Sequence, residues 1–274
     1  MFIAVLAAAI LHASWNAIAK AVPDQRVAAG LLSVAGLLSG AVGAAVLPAP
    51  DPGSWPFIAV SSVLQAGYLL LLVRAYRYGE FGQVYPLARG LPPLLVTVFS
   101  LAVLGERLTV GQLAGVVVVS LALTALVFAG RRPAPATGLW LAAATGVLIT
   151  SYTIVDGVGV RQSGHSLSYA AWLFLAHGLL VLGASWAMYG RGYVRAAAPS
   201  ARLGLLGGVL AMTAYATVLW AQTQAPLALV SAVRETSLLF AGVIGTLVFA
   251  ERFSAIRLVA TAAAVAGIVL VRVT

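Results

Sequence analysis

Two arginines stand inside runs of apolar residues long enough to cross a bilayer: Arg89 within 83–104 and Arg234 within 227–249. A guanidinium there costs at least about 2.5 kcal/mol even on lenient scales, so it normally faces a partner or water. Its planar fork matches the oxygens of carboxylates, phosphates and phosphonates, which points to recognition of organic anions or zwitterions. Arg89 lies about six residues inside its run, so about 9 Å below that membrane face. Arg234 lies at the matching depth in a run that starts from the opposite face. The expectation is one guanidinium toward each mouth of a cavity, separated in depth by roughly 12 Å. A structural ion pair is the alternative, since Asp156 falls near the same face as Arg234 and Glu235 adjoins it in sequence.

Other polar residues could serve the same site. His12, Asn16 and Lys20 recur every four residues in the first run, with Trp15 adjoining, and so share one face of a helix. Asn16 and Trp15 are expected to line a path, whereas His12 could take up a proton near neutral pH. Asn16 could instead bond across helices, and Lys20 could snorkel to the interface. Tyr85, four residues before Arg89, joins the substrate-binding set, as do Gln65 and Tyr68 in the third run and Tyr215 in the eighth. Such mixtures of aromatic and amide groups suit a pocket that buries an apolar body and orients a polar end. His12, Asp156 and Glu235 are the candidates for ion coupling. Pro92 and Pro93 cannot donate to the carbonyls of Ala88 and Arg89, which frees those oxygens beside the arginine.

The element pattern that must position these groups is duplicated. Gly105-Glu106-Arg107-Leu108-Thr109 and Ala250-Glu251-Arg252-Phe253-Ser254 superimpose at a shift of 145 residues, and the same shift lays Arg89 on Arg234. Leu94, Val98, Val103 and Leu113 also match in this register. Charged matches are hard to obtain by chance in a chain with only 16 basic and 7 acidic residues, so this is an internal repeat. The Glu-Arg pairs read as structural, with each acid against the positive end of the helix that follows and Thr109 or Ser254 as its cap.

With 62% hydrophobic and 8% charged residues, the chain lacks the polar surface of a soluble globule. Apolar runs at 2–20, 27–47, 56–76, 83–104, 110–129, 138–158, 167–189, 203–223, 227–249 and 255–272 predict ten transmembrane helices. Their continuity favours helices over a barrel. The fold class expected is an all-α polytopic membrane protein: a five-helix repeat over 1–130, a linker at 131–136, and a second repeat over 137–274. An odd number of spans inserts the second copy upside down, giving two inverted repeats. Odd-numbered loops hold 11 of the 16 Lys and Arg residues and even-numbered loops with the C-terminus hold 3, the remaining two being Arg89 and Arg234. The positive-inside rule then puts the odd loops in the cytoplasm and both termini outside.

Trp15-Asn16 with Lys20, Ala75-Tyr76-Arg77-Tyr78-Gly79, and Leu104-Gly105-Glu106-Arg107-Leu108 resemble the drug/metabolite transporter superfamily, specifically its EamA-type members of two five-helix repeats. His12-Ala13-Ser14-Trp15-Asn16 with Gln83 to Gly90 is also similar to a branch of phosphonate-utilisation-associated membrane proteins. The resemblance spans essentially the whole chain. It implies a ten-helix basket with a central cavity that moves small metabolites without ATP, and termini that usually face the cytoplasm, against the charge count.

The function expected is a secondary transporter, or permease, for a small organic anion or zwitterion such as an amino acid or phosphonate. A lipophilic-cation exporter is the alternative; it would need a membrane-embedded carboxylate, for which Asp156 and Glu235 are the candidates. A non-transporting scaffold is a second. The chain is not read as an enzyme: His12, His165 and His177 form neither HxxE nor HExxH, and there is no cysteine. No cofactor or metal is expected. The partners are a small-molecule substrate and the lipid bilayer, with no nucleic acid, and a homodimer is left open. The location expected is the bacterial cytoplasmic membrane.

Overall fold

The computed structural model describes residues 1–75, 78, 81–129, 135–241, 244 and 255–273. The second tripeptide copy at 250–254, most of the Arg131–Pro135 joint and most of the Ala75–Gly79 motif lie outside the described residues. Among those described there is no strand; the helices are α1 Phe2–Ala21, α2 Gln25–Val46, α3 Trp55–Ala75, α4 Phe81–Ala102, α5 Val110–Ala125, α6 Ala136–Arg161, α7 Ser166–Tyr189, the short α8 Gly192–Ala197, α9 Ala201–Gln222, α10 Leu227–Arg234 and α11 Ala255–Val273. Among the described residues seven helices are long and apolar enough to span a bilayer, and the apolar segments Val110–Ala125 and Leu258–Val273 are shorter. With the interrupted run from Leu227, these account for the ten runs of the sequence. Large apolar side chains point outward, Val110 at 86% and Trp140 at 76% exposure, as a lipid-facing surface requires.

Local sequence sets the ends of these helices. Thr109 accepts a hydrogen bond from the Gln112 amide at 3.1 Å while the Gln112 side chain accepts from the Thr109 amide at 3.1 Å, a capping box that starts α5. Thr109 thus caps as the sequence suggests. Gly105 before it has φ +65°, a left-handed conformation that favours glycine.

Backbone contacts divide the chain into two compact units, and each draws on both sequence repeats. The first comprises Ile3–Ala66 and Val155–Thr223. Here α2 packs on α7, where a Cβ on Gly40 would lie 2.6 Å from the Leu175 amide nitrogen; only glycine permits that approach. Ile58, Val160, Tyr169, Leu173 and Leu219 form its main core. The second unit comprises Gly67–Ile154 and Gln224–Thr274. In it α5 and α11 touch backbone to backbone, and a Cβ on Gly115 would lie 2.5 Å from the Gly267 carbonyl oxygen.

The ninth run is not one continuous helix. After α10 the chain makes a turn at Glu235-Thr236 and becomes helical again over 237–241. Bonds there step back three residues, from the Thr236 amide to the Val233 carbonyl at 3.1 Å and from Leu238 to Glu235 at 3.0 Å. The Thr236 hydroxyl also donates to the Val233 carbonyl at 2.8 Å. Hydroxyl side chains that bond to nearby backbone compete with the helical ladder, and such tightened turns mark hinges.

Candidate functional site

The break in the ninth run places three charged groups together. Arg234 ends α10 and Glu235 is the first residue of the turn; Arg89 comes from the middle of α4. Arg89 Nε lies 2.9 Å from Glu235 Oε2 and Arg234 Nε lies 3.5 Å from Glu235 Oε1. The expectation of two guanidinia separated in depth, one toward each mouth, is therefore corrected: both converge on a single carboxylate. Glu235 at the end of α10 lies between Arg89 of α4 and its own chain neighbour Arg234.

All three are almost wholly buried, at 5%, 3% and 1% exposure. Yet neither Glu235 oxygen accepts a hydrogen bond of good geometry among the described residues, and neither arginine Nε donates one. The second arms of the arginines reach hydroxyls at the margin of hydrogen-bond distance, Arg89 to Ser237 Oγ and Arg234 to Thr153 Oγ1, each at 3.5 Å. Charge rather than direction holds the carboxylate. Two guanidinia against one carboxylate leave one positive charge in excess within this cluster.

Tyrosines surround it. Tyr68 of α3, Tyr85 of α4 and Tyr152 of α6 lie within electrostatic reach of the Arg89 guanidinium, and the rings of Tyr68 and Tyr152 are 5.4 Å apart. The Ala88 carbonyl, freed by Pro92, packs against α6, lying 3.2 Å from where a Cβ on Gly146 would be. That oxygen is covered by a neighbouring helix.

A second polar cluster lies in the first unit. Asp156 of α6, fully buried, accepts from Tyr169 of α7 at 2.9 Å, from Gln65 of α3 at 3.2 Å, and from Tyr215 of α9. Four helices thus meet at one carboxylate. Gln65 also donates to Ser61 at 3.0 Å. Arg234, for which Asp156 was one candidate partner in the sequence, has Glu235 as its described acid.

A third group is local to α1. The Trp15 indole donates to His12 Nδ1 at 3.2 Å and the Asn16 amide donates to the His12 carbonyl at 2.7 Å. These residues are half-buried, and Lys20 is exposed. The structure thus brings Arg89, Arg234, Glu235, Tyr68 and Tyr85 together, gathers Asp156, Gln65 and Tyr215 in a second cluster, and bonds His12, Trp15 and Asn16 to one another along α1.

Sequence reasoning missed Tyr152, Tyr169 and Ser237. The 145-residue register that maps Arg89 onto Arg234 also maps Gly90 onto Glu235, the signal that the two sites are not equivalent. It also missed a partner of Glu106 outside its own repeat. Its Oε2 accepts the Leu227 amide at 2.9 Å, at the start of α10. The positive end of that half-helix is where a carboxylate is most favourable.

An all-helical chain with long apolar helices, outward apolar faces and charged groups buried only in clusters is an integral multi-pass membrane protein. The sequence model of the EamA-like transporter family matches twice, over residues 1–128 and 136–273. The chain belongs to that family, within the drug/metabolite transporter superfamily; the family's members are membrane transporters and not enzymes. One solved structure, titled only as the crystal structure of a protein, shares the fold with a TM-score of 0.73, 21% identity and 98% coverage of both chains. No curated protein matches.

Proposed function

We propose that this transporter moves a small organic anion or zwitterion, such as an amino acid or phosphonate, by alternating access. The observation that carries the reading is the Arg89–Glu235–Arg234 cluster, whose excess positive charge lies beside the discontinuity of a transmembrane run. Discontinuous helices near the middle of the bilayer are the usual location of substrate sites in secondary transporters. Arg89 and Arg234 bind the anionic group; Tyr68 and Tyr85 pack against the rest of the substrate. Trp15, Asn16, Gln65 and Tyr215 line the path. The cluster is closed to solvent in this conformation, and loading requires the halves to rock about the midplane.

The test is a thermal-shift screen of metabolites against purified wild type and Arg89→Ala, followed by uptake in proteoliposomes. Anions that stabilise wild type and not the variant support the reading. Anions that stabilise both equally overturn the role of Arg89. Asp156, a fully buried carboxylate, favours lipophilic-cation export as a second reading. Loss of cation efflux in Asp156→Asn, with anion binding absent, would select it.

A further inference from the structure

We propose that Glu235 is a built-in stand-in for the substrate anion, and that a substrate displaces it from the arginine pair with uptake of one proton. The inference rests on the anion reading above and adds the coupling step. Its basis is the way the carboxylate is held. Glu235 lies 2.9 Å from one guanidinium and 3.5 Å from the other, but it accepts no directed hydrogen bond among the described residues. A carboxylate whose role was only to lock the fold would be expected to use its oxygens in fork-to-fork bonds, which are the strong geometry for this pair. Glu235 is instead seated as a counter-ion between the two arginines, in the place an incoming carboxylate or phosphonate needs.

Its backbone makes displacement feasible. Glu235 is in the turn between α10 and the helical 237–241 segment, where its amide is shared between the Ser231 and Ala232 carbonyls and the next bonds, from Thr236 and Leu238, step back three residues. A small change of backbone angle there swings the side chain without unfolding a continuous helix.

Once an incoming anion occupies the arginines, the displaced carboxylate has lost its counter-charges inside the membrane. An isolated buried carboxylate is far too costly to persist in the charged form. It takes a proton from hydronium in solution: an O–H bond forms on one carboxylate oxygen as one breaks in the hydronium ion, water is released, the carboxylate goes from −1 to 0, and nothing is oxidised or reduced. Among the described residues Arg89 and Tyr85 of α4 and Arg234 of α10 face Glu235, with Tyr68 of α3 and Tyr152 of α6 around Arg89, and none of them is a carboxylic acid. The sequence of α5 has no charged or titratable residue. On α11 the basic residues are Arg257 and Arg272, and Arg272 lies over the Phe2 ring. Binding one monoanion and one proton is electroneutral, so the inference predicts proton-coupled substrate movement.

The experiment measures binding of methanesulfonate, acetate, glycine and methylphosphonate to purified full-length protein by calorimetry, in two buffers of different ionisation enthalpy. Methanesulfonate keeps a single negative charge across the range, so its pH dependence reports on the protein. For wild type the expectation is one proton taken up per anion, and an affinity for methanesulfonate that falls by about tenfold per pH unit wherever that uptake is complete. Glu235→Gln should bind with no proton uptake and no such pH dependence. Glu235→Asp keeps the carboxylate and should keep the uptake, which guards against misfolding of the first variant. Anion binding to wild type without proton uptake overturns this inference and leaves the anion reading standing. Unchanged proton uptake in Glu235→Gln also overturns it. If none of the four probes binds wild type at any pH, both readings fall.

Discussion

Arg89 and Glu235 come from different repeats of the duplicated sequence and meet at 2.9 Å in a part of the chain that is almost fully buried. The register that aligns the repeats puts glycine, Gly90, where the second copy has this acid. A Cβ on Gly90 would lie 2.6 Å from Thr124 Oγ1 and 2.9 Å from its amide nitrogen, so α5 occupies the space that an acidic side chain would need. One copy has used the position for helix packing and the other for charge.

Removing Arg89 should separate structure from function. Arg89→Ala leaves Glu235 with only the more distant arginine, and breaking a buried pair costs about 3–5 kcal/mol. Arg89→Met and Arg234→Met combined with Glu235→Leu, which leaves no member of the cluster charged, should regain most of that stability in detergent melts and still bind no anion. Anion binding by the triple variant would count against the site.

The Asp156 cluster predicts a sharp difference between two substitutions. Tyr169 and Tyr215 donate to different Asp156 oxygens; Asp156→Asn keeps one acceptor and puts an amide donor in the other place, which a tyrosine hydroxyl can accept by rotating, and should fold. Asp156→Leu strands the hydroxyls of Tyr169 and Tyr215 and the Gln65 amide, at about 1–3 kcal/mol for each buried group left unmet. Monodispersity on size exclusion and the thermal midpoint report the outcome.

Backbone contact between α5 and α11 leaves no space for a side chain. Gly115→Val should therefore destabilise the protein by about 1–3 kcal/mol through overpacking, read as a lowered thermal midpoint. Gly192→Ala, where nothing lies within 4 Å of an added Cβ, is the matched control.

The native chain has no cysteine, so single cysteines can map its orientation without background. If the charge bias sets topology, Gly105→Cys in intact cells should react with a membrane-impermeant maleimide and Gly192→Cys should not. The opposite labelling pattern would put the termini in the cytoplasm.

Much of the helical layout was legible because a bilayer imposes length and polarity on each span. Capping of α5 by Thr109 was legible for a similar reason, being a local pattern of side chain and backbone. The convergence of the two arginines was not. Repeat symmetry assigns equivalent depths to Arg89 and Arg234, but the turn at Glu235-Thr236 depends on hydroxyl groups competing for backbone carbonyls, which no hydropathy pattern records. Nor could the sequence show that Gln65 and Tyr215 bond to Asp156, because four helices contribute to that cluster and their rotations are set by packing.

The bond from Glu106 to the Leu227 amide joins a carboxylate in the first repeat to a half-helix in the second. Before duplication and fusion, an equivalent contact would have had to reach across to another polypeptide, as a subunit interface. Two halves expressed as separate chains, divided within 131–134, should then reassemble in the membrane, and Glu106→Ala should weaken their co-purification. The linker would in that case be a convenience of inheritance, and the recognition between halves would reside in their folded ends.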